Sequence, residues 1–152
     1  METLKSFEET IALGKKIGQV LKPGDVLFLQ GDLGAGKTTF TQGLAEGLNI
    51  KECVNSPTFV LISEYLSGRL PLYHMDLYRI EEETQLFDLG VEDYFFGNGV
   101  CVVEWPNIAE AFFPESYAIF RLSHMGHERG IELMIEGRCE HIKEAYNEYF
   151  SL

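Results

Sequence analysis

VLFLQGDLGAGKTTF, residues 26–40, decides how this chain folds. Its first four residues form an apolar run of strand length, and a strand apolar on both faces suits the centre of a parallel sheet. The next eight, GDLGAGKT at 31–38, satisfy the pattern G-x-x-x-x-G-K-[ST]. A glycine loop between a strand and a helix is the context that makes this pattern credible. Gly31, Gly34 and Gly36 let the backbone curl until its N–H groups converge on phosphate oxygens, at the positive end of the helix dipole. The expected phosphate-binding set is Asp32, Leu33, Gly34, Ala35, Gly36, Lys37, Thr38 and Thr39. Lys37 is placed to reach the β and γ phosphates and Thr38 to offer its hydroxyl to Mg²⁺, while Thr39 contacts the α phosphate or packs on the strand.

Working outward, the spacing predicts a helix over residues 7–20, opened by a capping box of Ser6 and Glu9 and closed before the turn at 22–25. A second helix is predicted over 37–48, with Phe40, Leu44 and Leu48 four apart. Two β-rich runs, 58–66 and 70–76, flank Ser67-Gly68-Arg69 and read as a hairpin. Residues 81–89 look helical, 93–99 irregular and aromatic, and 100–103 like another buried strand. Residues 117–123 and 131–135 suit a late hairpin, and 140–149 a terminal helix. The expected fold class is α/β: a P-loop NTPase-like three-layer fold with a mostly parallel central sheet and some antiparallel hairpin strands. No repeat or linker divides the chain, so residues 1–152 read as one domain.

A phosphate cradle needs an acidic partner on a neighbouring strand to hold the metal. Glu104 follows four apolar residues, the pattern of a buried strand delivering one carboxylate at its C-terminal end, and Asp76 ends a second such run. Either acid also has a plain structural reading, capping a turn or pairing with Arg79. Thr58, in SPTF at 56–59, lies where related folds sense the γ phosphate, or is simply a strand residue. His74 alternates with Asp76 and Tyr78, which places the three on one face of an extended chain, with Tyr73 and Arg79 opposite. Trp105 packs over the site or fills the core.

Composition narrows the function. The chain has 12 Lys and Arg against 24 Asp and Glu, a net charge of −12, the wrong sign for gripping a nucleic-acid backbone directly. The acids are dispersed, which fits a solvated surface or a patch for a basic partner. The 152 residues contain no apolar run of about 18, and METLKSFEET lacks a signal-peptide pattern, so a cytoplasmic location away from membranes is expected. The 3 cysteines are widely spaced and suit reduced thiols, with Cys101 buried in its apolar run.

Four blocks in this order, GDLGAGKTTF at 31–40, SPTF at 56–59, YHMDLYR at 73–79 and VEWP at 103–106, resemble the bacterial tRNA threonylcarbamoyladenosine biosynthesis protein TsaE, a family of small P-loop ATPases. The resemblance spans about half the chain. It implies an ATPase using ATP and Mg²⁺ that works with TsaD and TsaB, in a complex that modifies adenosine 37 of tRNA, with tRNA met only through that complex. It further implies that Lys37 and Thr38 bind phosphate and Mg²⁺, that Glu104 is the metal-linked acid, that Thr39 and Asp76 support hydrolysis, and that Thr58 is a switch residue. Family members tend to carry a Gly-Arg pair near the nucleotide base. This chain departs from that pattern with GHERG at 126–130, which leaves Arg129 or His127 for adenine.

Two other readings compete. A stand-alone small-molecule kinase also pairs a P-loop with strand-end acids, but such enzymes usually add an arginine-rich lid, and the arginines here are isolated. A non-catalytic nucleotide-sensing adaptor would keep the cradle without needing turnover.

Overall fold

The computed structural model describes residues 1–32, 34–55, 62–77, 82–104 and 113–151. In chain order the elements are β1 (Glu2–Leu4), α1 (Phe7–Gly18), β2 (Val26–Gln30), α2 (Lys37–Gly47), β3 (Ile62–Tyr65), β4 (Leu72–Asp76), α3 (Glu83–Leu89), α4 (Val91–Phe95), β5 (Val100–Glu104), β6 (Tyr117–Met125), β7 (Glu128–Glu136) and α5 (Glu140–Phe150). The strands form a 7-stranded sheet in the order β1-β7-β6-β2-β5-β4-β3. Its centre, β6-β2-β5-β4, is parallel, and antiparallel strands finish both edges.

β2 is buried from Val26 to Leu29 because both of its faces are covered. Leu27 and Leu29 join the larger core, with Leu13 and Ile17 of α1, Phe40 and Leu44 of α2, and Ile142 of α5. Val26 and Phe28 point the other way, into a smaller core with Val91 and Phe95 of α4. There Phe28 stacks on Phe113 at 4.0 Å and meets Phe95 edge-on at 6.1 Å. This two-sided alternation about one strand produces the three layers anticipated from sequence.

The predicted capping box opens α1: Ser6 Oγ accepts from the Glu9 N–H at 3.2 Å, while Glu9 Oε2 reaches back to the Lys5 N–H at 3.0 Å. Gly14 and Gly18 of α1 lie directly against Gly43 and Gly47 of α2. A Cβ on Gly14 would stand 2.6 Å from the Phe40 carbonyl oxygen, and one on Gly43 would stand 2.5 Å from that of Ile11. The two backbones therefore touch, and side chains four apart on each helix are absent where they meet. Elsewhere, Arg69 at the tip of the β3–β4 hairpin donates to the carbonyls of Gly18 at 2.9 Å and Leu21 at 3.1 Å, at the negative end of α1.

Several elements differ from the sequence reading. Residues 93–99 were expected to be irregular, yet Val91–Phe95 forms α4, since Val91 and Phe95, four apart, both seat in the smaller core. β1 was not anticipated; its three residues owe their extended form to pairing with Arg129–Ile131 of β7. The late hairpin is longer than expected and closes Met125 against Glu128 across Gly126, whose φ of 66° suits the first central position of a two-residue turn. The β3–β4 connection is wider than Ser67-Gly68-Arg69, because Tyr65 pairs with Leu72. Among the described residues no helix is long and apolar enough to cross a membrane.

Candidate functional site

Three parallel strands deliver the chemistry to one end of the sheet. β2 ends at Gln30 and runs into Gly31, β4 ends at Asp76, and β5 ends at Glu104. Leu29 and Asp76 both pair with Glu104, one from each side, so the two carboxylates stand abreast beside the start of the glycine loop. The carboxyl ends of parallel strands are where an open α/β sheet offers its binding crevice.

A cleft of about 680 Å³ opens there. Asp32, Gly34, Gly36, Lys37, Thr38 and Thr39 line it, with Asp76 and Glu104 beside them. Leu4, Ser6, Phe7 and Thr10 from the amino-terminal segment line it too, as do His127 and Arg129 from the late hairpin. Nearly every site residue expected from sequence therefore meets in one place. Ala35 differs: its side chain is fully buried in the core and its N–H donates to the Asp32 carbonyl at 3.0 Å. Leu33, Thr58, Tyr78, Arg79 and Trp105 lie outside the described residues.

The loop's geometry suits an anion. Gly36, at φ 106°, is the N-cap of α2 and has no side chain with which to cap it, so the positive end of the helix faces the cleft unscreened. A Cβ on Gly31 would meet the Leu122 carbonyl oxygen of β6 at 2.5 Å, which holds the loop down on the sheet. Lys37 is buried; its Nζ donates to the Gly31 carbonyl at 2.7 Å and lies 3.9 Å from Glu104 Oε1. Two buried opposite charges at this separation satisfy each other where either alone would be costly.

Among the described residues no cluster of three or more His, Cys, Asp or Glu side chains forms a dedicated metal cage. Mg²⁺ characteristically keeps its waters and takes one or two protein oxygens together with substrate phosphates. Thr38 and Glu104 are the pair of oxygens at hand. His74, a weak signal in the sequence, is wholly buried, and its Nε2 lies 2.7 Å from Glu104 Oε2. Only its alternation with Asp76 hinted at this. Ser6 enters the sequence reading only as a helix cap, and Leu4, Phe7 and Thr10 carry no motif; Leu4 is brought to the cleft by pairing with Arg129 of β7.

The strand, glycine loop and helix, with acids ending the next two parallel strands on one side, define a P-loop-type α/β protein. Comparison with known proteins makes the assignment specific: the family model described as Threonylcarbamoyl adenosine biosynthesis protein TsaE matches residues 4–131, and the chain belongs to that family. A tRNA threonylcarbamoyladenosine biosynthesis protein TsaE from Bacillus subtilis is 59% identical over 108 residues, covering 71% of this chain and 67% of that protein. Its namesake from Haemophilus influenzae is 34% identical over 132 residues, covering 83% of each. The crystal structure of Bacillus subtilis YdiB aligns with a TM-score of 0.80 at 40% identity, over 99% of this chain and 93% of that one.

Proposed function

We propose that this chain is the ATP-binding and ATP-hydrolysing component of the tRNA threonylcarbamoyladenosine machinery, acting on TsaD and TsaB as a nucleotide-dependent switch. The observation that carries the reading is the buried Lys37–Glu104 pair, 3.9 Å apart at the mouth of an uncapped helix. A neutral filler would close such a site, whereas this pair keeps a cation beside a carboxylate until a phosphate competes for it. Lys37 would then exchange the Gly31 carbonyl and Glu104 for phosphate oxygens, and Thr38 and Glu104 would be the residues to hold Mg²⁺. Bound there, the metal would neutralise charge on the transferred phosphoryl group. Asp76, abreast of Glu104, and Thr39, one residue past Thr38, are the proposed hydrolytic supports, and Arg129 or His127 the base contact.

The family membership and the acidity support a role on a protein complex rather than on tRNA itself, because a net charge of −12 repels a phosphate backbone. Binding of ATP is proposed to favour docking, with Thr58 sensing the γ phosphate, and hydrolysis to release the chain.

The test is a pull-down with TsaD and TsaB in the presence of an ATP analogue or ADP, followed by phosphate release. Equal capture with both nucleotides refutes the switch. Glu104→Ala should bind ATP and lose partner-stimulated turnover. If tRNA modification continues unchanged in that variant, the chain is an adaptor and hydrolysis is incidental.

A further inference from the structure

We infer that His74 is a positioning residue that fixes the orientation of the Glu104 carboxylate, a role that rests on Glu104 being the metal-linked acid. A carboxylate has no proton to give, so the 2.7 Å contact requires that His74 Nε2 carry the hydrogen and donate it to Glu104 Oε2. The terminal torsion of a glutamate is broad and sets no orientation by itself. One charge-assisted bond from a fully buried ring supplies what the torsion does not.

The other ring nitrogen strengthens the case. Among the described residues His74 Nδ1, which is buried, has no hydrogen-bond partner, and with the hydrogen on Nε2 it is left as an unpaired acceptor. An unmet buried acceptor destabilises the fold, and an aliphatic side chain would fill the same space without it. Packing alone therefore gives no reason for a histidine at this position; the bond to Glu104 does.

The arrangement also divides the two carboxylate oxygens. Oε1 faces Lys37 at 3.9 Å, inside the cleft, and Oε2 faces His74, which does not line the cleft. When Lys37 leaves for phosphate, Oε1 loses a neighbour and becomes available to a cation. Oε2 keeps its partner, so the carboxylate does not swing as its surroundings change. His74 and Asp76 share a face of β4, and Asp76 pairs in register with Glu104, so the same strand holds the acid and stands beside it.

The full chain is tested as His74→Gln, His74→Asn and His74→Ala. A glutamine amide reaches about as far as Nε2 and can donate to Glu104; asparagine reaches only the Nδ1 position. Three readouts are compared: partner-stimulated phosphate release, the affinity for ADP with and without Mg²⁺, and imidazole ¹⁵N spectra of the nucleotide-free wild-type chain. Partners that orient a metal ligand are typically worth about 10- to 100-fold. Ala and Asn should lower kcat by about that factor and abolish the gain in ADP affinity that Mg²⁺ gives, with Mg²⁺-free affinity held within about threefold. Gln should restore both to within about fivefold. The spectra should show His74 as the Nε2–H tautomer.

Wild-type turnover and Mg²⁺ dependence in the Asn or Ala variant would overturn the assignment. So would a Gln variant no better than Ala, or the opposite tautomer. If the wild type with its partners hydrolyses nothing, the hydrolysis reading fails separately. The role of His74 is then decided by Mg²⁺-dependent ADP binding: loss in Ala with rescue by Gln supports it, and no change refutes it.

Discussion

Replacing Gly43 by alanine tests whether backbone contact between α1 and α2 sets the width of the cleft. On an isolated helix the change is favourable by about 1 kcal/mol, since glycine is the poorer helix former. In the folded chain the new Cβ would lie 2.5 Å from the Ile11 carbonyl oxygen and 3.0 Å from Gly14 Cα, where ordinary contact begins near 3.4 Å. Both neighbours are backbone, so relief requires α1 to move bodily by most of an ångström. Overpacking of this kind costs about 3 kcal/mol at the upper end of its usual range, which leaves a net loss of about 2 kcal/mol. For a domain of this size that lowers Tm by about 4–8 °C. The displacement has a functional consequence, because Ser6, Phe7 and Thr10 of the amino-terminal segment line the same cleft as Lys37, Thr38 and Thr39. Nucleotide affinity should fall several-fold although Gly43 lies a turn and a half from Lys37. Calorimetry and ADP titration read the two effects, with Ala12→Gly on the exposed side of α1 as a propensity control. A Gly43→Ala protein as stable as the wild type would refute the close contact as the limiting dimension.

Other perturbations address other parts of the molecule. Lys37→Ala removes the cation facing Glu104, and ADP binding by titration should weaken by at least tenfold, the loss of about 1.4 kcal/mol or more expected for a charge-assisted contact; unchanged affinity would place the phosphates elsewhere. Arg69→Ala deletes bonds to the carbonyls of Gly18 and Leu21 and should cost about 1–2 kcal/mol by urea denaturation while leaving nucleotide affinity intact. Cys53 is exposed while Cys101 and Cys139 are buried, so a thiol reagent at pH 8 should modify only Cys53 in the native chain and all three after unfolding, as mass spectrometry would show. Burial raises the Cys101 thiol to about 12, and burial, then Asp25 and Glu140, raise Cys139 to about 11. The folded chain thus keeps protons that the unfolded chain releases from an ordinary value of 9.0 upward, and stability should fall as pH rises from about 9 through 11. Cys139→Ala should flatten that decline in urea midpoints; an identical slope would exclude the Cys139 thiol as a cause.

The phosphate loop, its strand and its helix were legible because their information is local. Val26 to Leu29 states by its apolarity that both faces are covered, the glycines state where backbone must curl, and Lys37 and Thr38 follow at fixed spacing. Glu104 and Asp76 were legible for the same reason, each a lone acid ending an apolar run. The α4 helix was missed because aromatic residues around Phe95 carry little helix propensity, and burial of Val91 and Phe95 overrides it. β1 is three residues long and takes its shape from β7, to which no local pattern refers.

Chain chemistry alone thus determined a P-loop-type α/β fold, its glycine loop and the acids that end the neighbouring strands. Tertiary structure alone decided that Asp76 and Glu104 stand in register, that His74 grips Glu104, and that Ser6, Phe7 and Thr10 line the same cleft. The physical reason is range. A loop conformation or a buried strand follows from side chains within a few positions of one another. A hydrogen bond across 30 residues, or a cleft lined from both ends of the chain, exists only once the sheet has brought its strands together.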